Sequence, residues 1–285
     1  MKKVGFIGMG MMGNGMATNL VNAGFEMCVY DVNPDAMKPF ENAAKLASSP
    51  KEVAQFADVV MTMLPEPSHV EAVYLGENGL LSGAHEGLYL IDTSSVDPEC
   101  SKKVSAAAAK EGVIMFDAPV GGSPMDALSG DLIMMAGGNK KDILACRDVL
   151  DAVGARTLVC GPVGTGSATK LANNLMTVVR GAVIVEGFTL AEKAGVDTKV
   201  LAEIQSLNVP RTNENMILAH MAKVVDLGFF TGLAHKDLRL AQQMAESTGT
   251  PTPICSLVKS LLQMSIVKGN VGRAIGAVVE LYDNQ

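Results

Sequence analysis

Residues 4–20 read VGFIGMGMMGNGMATNL, an apolar strand-like run that breaks at Gly8, Gly10 and Gly13 and passes straight into a helical pattern. Gly8 permits a tight turn, Gly10 leaves the backbone open to a pyrophosphate, and Gly13 lets helix and strand lie close together. The N-terminus of such a helix offers free N–H groups and a positive dipole end to phosphate. A second strand-like run, MCVYD, ends in Asp31, eighteen residues after Gly13, which is the context this fingerprint requires. Met9, Met11 and Met12 complete the turn. A carboxylate at Asp31 accepts from both ribose hydroxyls and repels a 2′-phosphate. Neither Val32 nor Asn33 behind it is basic. The expected cofactor is NAD(H), preferred over NADP(H).

Up to about residue 162 the chain alternates strand-like runs with helical patterns. The runs are VGFIG, MCVYD, DVVMTML, LYLIDTS, VIMFDAPV, DLIMMAGG and TLVCG, and helical stretches include 50–57, 98–110 and 139–152. That alternation implies an α/β, Rossmann-type, doubly wound and mostly parallel sheet. After Gly166 the strand signals stop. Residues 167–194 read as one long helix ending at Gly195, followed by helical patterns at 197–207, 212–224, 232–247, 254–268 and 270–282. The expected organisation is a dinucleotide-binding domain, 1–162, and an all-α substrate and oligomerisation domain, 163–285, joined by the long interdomain helix. That helix is apolar nearly all round, which calls for burial by its own domain and by another subunit. A homodimer or homotetramer is expected.

Several classes are excluded. A net charge of −7 and the lack of a basic stripe with aromatics argue against nucleic acid. The longest apolar stretch, LANNLMTVVRGAVIVEGFTLA, is broken by Arg180 and Glu186, so no membrane span is expected. Cys28, Cys100, Cys146, Cys160 and Cys255 are odd in number, with no C-x-x-C pair, as in a cytoplasmic protein with reduced thiols. The opening MKKVGFIG enters a strand at once, without the pattern of a signal peptide. Eighteen methionines read as core filler. His69, His85 and His220 lack ligand spacing, and no metal site is expected.

The stretch GPVGTGSATKLANNLM, 161–176, puts Lys170 and Asn174 four apart on one helix face. A lysine among Ala, Leu and Met is costly to bury unless partnered or used, although it can also snorkel to solvent. Four motifs occur in order along nearly the whole chain. G-x-G-x-M-G-x-x-M-x-x-N-L runs from Gly8 through Met12, Gly13 and Met16 to Asn19 and Leu20. D-A-P-V is Asp117–Val120. G-x-G-x-x-x-K-x-x-x-N is met by Gly164, Gly166, Lys170 and Asn174. K-D-L-x-L-A runs from Lys236 to Ala241, preceded by Gly228 and Phe229. In these the chain resembles the β-hydroxyacid dehydrogenase family, which includes 3-hydroxyisobutyrate dehydrogenase and tartronate semialdehyde reductase.

The resemblance implies an NAD-dependent oxidoreductase that interconverts a small β-hydroxy acid and its semialdehyde. Lys170 would be the general acid/base, and Asn174 would bond the reacting substrate oxygen. Ser95 stands where the family usually has threonine near the nicotinamide. Met63, Leu64 and Pro65 match the loop beneath the cofactor, Lys236 a lysine that reaches it, and Asp237 would orient that lysine. The site is expected where Lys170 and Lys236 face Ser95 and Gly121–Ser123.

The family pattern after D-A-P-V is usually S-G-G, whose small residues and N–H groups bind the substrate's acid group. Here it reads Gly121, Gly122, Ser123. A backbone nest for an anion survives, but the hydroxyl has moved to the third position. The family's pocket-lining Ser-Ser-Gly is replaced by SLNVPRTNEN, where Arg211 is either an acid clamp or a surface residue. His235 lines the pocket or sits on a helix surface. A small anionic substrate is expected, with sulfolactaldehyde, a sulfonate, as the alternative. Decarboxylation of a phosphorylated sugar acid fits poorly, without an arginine cluster. Imine reduction is disfavoured by Lys170, and a non-catalytic NAD-binding sensor by the pair Lys170 and Asn174.

Overall fold

The computed structural model describes residues 2–193, 195–208, 230–248 and 252–281. The chain divides into two compact units, Met1–Lys170 and Leu171–Gln285.

The first unit holds a nine-stranded sheet. Its strands are β1 (Lys3–Ile7), β2 (Glu26–Tyr30), β3 (Ala44–Leu46), β4 (Val59–Thr62), β5 (Tyr89–Asp92), β6 (Ile114–Asp117), β7 (Val120–Gly121), β8 (Leu132–Gly137) and β9 (Gly154–Gly161). They lie in the order β3-β2-β1-β4-β5-β6-β8-β7, with β9 on β8. From β3 to β6 every pairing is parallel. β8 runs antiparallel to β6 and β7, and β9 runs parallel to β8.

All seven strand-like runs are strands. Sheets covered on both faces need continuous apolar strands, and β4 is buried at all four positions. Side chains alternate between two cores. Val4, Phe6, Val59 and Met61 enter one, while Ile7, Val60, Leu90 and Met115 enter the other. β3 and β7 escape the sequence pattern because they are three and two residues long, with no apolar run.

Prolines at the first helical turn and side-chain caps start several of the helices. Ser49 caps Pro50–Phe56, and Asp97 accepts from the amides of Glu99 and Cys100 at the start of Pro98–Lys110. The pattern at 139–152 is two helices, Lys140–Ala145 and Arg147–Val153, parted at Cys146.

The long helix, which carries Lys170 and Asn174 of the third motif, is Thr165–Lys193. The second unit adds helix Thr198–Asn208, and helices Thr231–Thr248 and Pro253–Val267 that pack with the long helix around a core of Val178, Leu238, Ala241, Cys255, Val258, Leu262 and Val278. The pattern at 270–282 is not an α-helix. It forms two 3-10 turns, Asn270–Gly272 and Ile275–Leu281, separated by an extended Arg273. Gly269 at φ +93° ends the preceding helix, and Glu280 is pulled back by Asn270 and Arg273. Of the long helix's described side chains, Leu171, Asn174, Val178 and Ala182 are buried while Met176 is half exposed, so this stretch buries one face within the chain. The pattern at 212–224, with Arg211, His220, Gly228 and Phe229, lies outside the described residues.

Candidate active site

The sheet order reverses direction at β1 and β4, and in such sheets the crevice at the carboxyl ends of those strands receives the ligand. Gly8 sits there at φ +96°, where a Cβ would lie 2.2 Å from the Met63 carbonyl oxygen. A Cβ on Gly13 would lie 1.8 Å from the Gly8 oxygen. Gly10 differs: nothing lies within 4 Å of the place a Cβ would take. It caps helix Met11–Asn22 without a side-chain bond, so the first N–H groups are left to a ligand. Met9 is buried, Met12 packs on the core, and Met11 is exposed. Asp31 braces the turn, its two oxygens accepting from the amides of Met9 (2.6 Å) and Asn33 (2.8 Å). Each carboxylate oxygen can accept a further bond, as ribose hydroxyls require. The open approach at Gly10, the bare helix start and the placed carboxylate together fit a dinucleotide.

Beside this turn the loops after β4 and β5 are joined. Met63 donates its amide to Ile7 (2.9 Å), and Leu64 donates its amide to Ser94 Oγ (2.8 Å). Ser94 Oγ donates in turn to Asp92 Oδ1 (2.6 Å), which also takes Thr62 Oγ1 (2.8 Å). Ser95, half-buried, follows directly, and Pro65 closes the first loop. Burial pushes the Asp92 carboxyl up to about 6, against the bonds from Ser94 and Thr62, which lower it. The sequence pattern did not single out Thr62, Asp92 or Ser94.

The glycine loop grows out of a ladder. Asp117 pairs with Gly137, Val120 with Met134 and Gly121 with Ile133, and Pro119 accepts the amide of Met135 (2.9 Å). β6 and β7 thus keep one register along β8. At the tip Gly122 adopts φ +135°, with Leu132 packed where a Cβ would go. Ser123 then closes a capping box on helix Pro124–Ser129. Its Oγ accepts from the Asp126 amide (3.3 Å) and donates to Asp126 Oδ2 (2.7 Å), and its own amide donates to the same oxygen (2.6 Å). Both donors of Ser123 are therefore committed to Asp126. Asn19, the last polar residue of the first motif, ties this helix down by donating to the Ala127 carbonyl (2.8 Å). Replacing Ser123 by Ala removes the cap and is expected to cost about 0.5–2 kcal/mol in urea unfolding. The KM for substrate should move less than about threefold, since the hydroxyl proton is already spent. A larger KM change at unaltered stability would show direct contact with substrate.

The long helix is pinned at its start by a strand end. Asp117 accepts from the amides of Gly164 (2.7 Å) and Ser167 (2.6 Å), and Ser167 Oγ meets Ser101 Oγ at 2.9 Å. A Cβ on Gly137 or Gly166 would come within 2.7 or 2.8 Å of the Asp117 carboxylate, so both glycines make room for it. Burial raises the Asp117 pKa and the two amide bonds oppose that rise. Lys170, half-buried, lies in the second turn of this helix. One turn later Asn174, 7% exposed, donates to Asp237 Oδ2 at 2.5 Å. The other Asp237 oxygen lies 3.1 Å from Lys236 Nζ. The helical unit thus brings Asn174, Asp237 and Lys236 into one buried cluster, and Asn174 keeps its second amide proton for another oxygen. Burial lowers the pKa of the neighbouring His235, helped by Lys259 and Arg239. Among the described residues no group of three His, Cys, Asp or Glu is placed to hold a metal ion.

The glycine turn, Asp31 and the strand order define a dinucleotide-binding α/β protein with a helical second unit. Residues 3–161 match the family model described as the NAD binding domain of 6-phosphogluconate dehydrogenase. Residues 164–282 match that described as NAD-binding of NADP-dependent 3-hydroxyisobutyrate dehydrogenase. The chain is 39% identical over 276 residues to the mitochondrial 3-hydroxyisobutyrate dehydrogenase of Mus musculus, covering 93% of this chain and 82% of that one. It is 36% identical over 296 residues to the NAD-dependent L-serine dehydrogenase of Pseudomonas aeruginosa, covering 99% and 98%. Among solved structures, Mycobacterium tuberculosis 3-hydroxyisobutyrate dehydrogenase with L-serine superposes with a TM-score of 0.92 over 100% of both chains, at 28% identity. The chain belongs to the β-hydroxyacid dehydrogenase family. It is an enzyme, an oxidoreductase of the hydroxy-acid class with a Rossmann-type NAD(P)-binding domain.

Proposed function

We propose that the enzyme interconverts a small β-hydroxy acid and its semialdehyde with NAD(H), using Lys170 as general acid/base. The observation that carries this is the helix Thr165–Lys193, anchored by Asp117, which bears Lys170 and, one turn on, an Asn174 oriented by Asp237. The dinucleotide, when bound, takes or supplies the hydride. During oxidation Lys170 Nζ accepts the hydroxyl proton, and in reduction it returns a proton to the oxygen on which negative charge gathers. The free N–H of Asn174 holds that oxygen. The backbone at Gly121 and Gly122 receives the acid group beside the capped Ser123, Ser95 borders the reacting carbon, and Lys236, steadied by Asp237, reaches toward the cofactor.

3-Hydroxyisobutyrate and L-serine, the compounds for which the relatives are named, share one skeleton: a primary alcohol one carbon removed from the carbon bearing the carboxylate. They differ only in a methyl or an amino group on that carbon. A 3-hydroxypropanoate skeleton is therefore the substrate class best supported. The preference for NAD(H) rests on Asp31 and on the exposed, uncharged Val32 after it. The expectation of a homodimer or homotetramer is supported by an apolar stripe, Ile254, Leu257, Met264 and Val267, exposed on helix Pro253–Val267. Among the described residues no helix is long and apolar enough to cross a membrane. Buried Cys28, Cys100 and Cys146, with thiol pKa values pushed up to about 11, 12 and 12, suit reduced, unreactive cysteines of the cytoplasm.

The test is turnover on 3-hydroxyisobutyrate, L-serine, glycerate and 2,3-dihydroxypropane-1-sulfonate, the alcohol of sulfolactaldehyde, each with NAD+ and NADP+. A carboxylate substrate should dominate, with kcat/KM for NAD+ more than about tenfold above NADP+, a gap that Asp31→Ser narrows. Turnover of the dihydroxypropanesulfonate alone would move the assignment to sulfonates. NADH binding without any turnover would support a sensor.

A further inference from the structure

Asp92 is the one carboxylate at the sheet's carboxyl edge that the proposed chemistry leaves without a task. It is completely buried at the end of β5, and among the described residues its Oδ2 has no hydrogen-bond partner. Its other oxygen gathers three donors: Thr62 Oγ1 (2.8 Å), Ser94 Oγ (2.6 Å) and the Ser94 amide (3.1 Å). Thr62 Oγ1 is also bonded to Tyr74 OH at 2.9 Å. Ser94 Oγ, with its proton given to Asp92, accepts the Leu64 amide at 2.8 Å. The chain of bonds thus runs from the end of β5, through Ser94, into the middle of the loop Met63–Pro65. That loop presses on the dinucleotide turn, because the Met63 carbonyl fills the space beside Gly8.

A buried carboxyl with one bare oxygen costs stability, and burial raises its pKa. An amide side chain would keep an accepting oxygen there without the cost of a buried charge. Stability therefore does not account for the acid, whereas geometry does: a single oxygen that accepts three bonds fixes two loops at once.

We propose that Asp92, acting through Ser94, is a positioning residue that holds the Met63–Pro65 and Ser94–Ser95 loops in the one arrangement that receives the dinucleotide. Ser94 is the relay, and Leu64 is the point at which the cofactor loop is held. The idea rests on the proposed function only in taking NADH as the ligand.

The experiment is NADH titration calorimetry on the full chain, with melting curves for each variant. Ser94→Ala, which leaves the core volume almost unchanged, should weaken NADH binding about tenfold, as expected for one lost hydrogen bond plus loop ordering. Asp92→Asn keeps an acceptor oxygen and should bind within about threefold of wild type, with an equal or higher melting temperature at pH 7.5. The double variant Asp92→Ala with Ser94→Ala should bind no more than about twofold worse than the weaker single variant, because both break the same relay. NADH affinity within twofold of wild type in folded Ser94→Ala overturns the proposal, as do additive losses in the double variant. Failure of the wild-type chain to bind NADH would overturn both this proposal and the reading of NAD(H) as cofactor. Failure on every hydroxy acid with NADH binding intact would touch only the reading of substrate.

Discussion

Lys170→Ala should lower kcat by about 10²–10⁴-fold in both directions, the range that a general acid/base contributes. NADH affinity should stay within about twofold, since in the proposed mechanism the lysine acts on the substrate oxygen. A free lysine holds its proton up to a pH of about 10.4, so it is a poor base at neutral pH. A desolvated site and a positively charged nicotinamide both favour the neutral amine. The oxidation rate should therefore rise with pH through the working range, because the amine must be unprotonated to accept the hydroxyl proton. That ascending limb should vanish in the alanine variant. Arginine at 170 should not rescue the reaction, because a guanidinium keeps its proton and cannot serve as the base. A variant that keeps more than a tenth of wild-type turnover would remove Lys170 from the chemistry, and Asn174 with its Asp237 partner would then be the next group to examine.

Gly13→Ala carries the second large effect. Helix propensity alone predicts that this change in Met11–Asn22 stabilises the chain by about 0.5–1 kcal/mol. The packing predicts the opposite sign, because the new methyl group would stand 1.8 Å from the Gly8 carbonyl oxygen, a backbone atom that cannot swing aside. Either the turn opens or the helix lifts from β1, at a cost of about 1–3 kcal/mol or more. Urea unfolding decides between the signs. Gly10→Ala is the matched control, since nothing lies within 4 Å of its Cβ position. That variant should keep its stability within about 0.5 kcal/mol while binding NADH more than about tenfold less well. Equal effects of the two alanines on stability and on binding would mean that the turn plays no special part in holding phosphate.

The legible part of the fold was that governed by local pattern. Strands such as β1, β4 and β5 are apolar runs because both faces of the sheet are covered there, and Gly8 and Gly13 are fixed by backbone contacts that leave no room for a Cβ. Thr165–Lys193 was visible as the place where strand signals cease. The framing of the site was not legible, because its bonds join distant positions. Asp92 meets Thr62 across 30 residues, Asp117 meets Gly164 across 47, and Asn19 meets Ala127 across 108. A trace of it was present: LYLID and IMFD both end in Asp before small residues, and the two acids are register partners on β5 and β6. Ser123 is a different case. S-P-M-D carries the Ser-x-x-Asp spacing of a capping box, yet beside two glycines the hydroxyl reads equally well as a substrate ligand. The 270–282 pattern failed for a local reason, since glycines at 269, 272 and 276 break what the apolar spacing suggests.

The unbroken pairing of Asp117, Val120 and Gly121 with β8 bears on how this enzyme can diverge. A loop that hangs free gains or loses residues cheaply. This one is the end of a ladder, where a single added residue turns every later side chain to the opposite face. An addition between Asp117 and Gly121 would either swing Val120 out of the core or pull Asp117 away from Gly164 and Ser167. Change over 117–121 is thus confined to side-chain exchange at fixed length, and variants with insertions or deletions between those residues should be lost as unfolded protein.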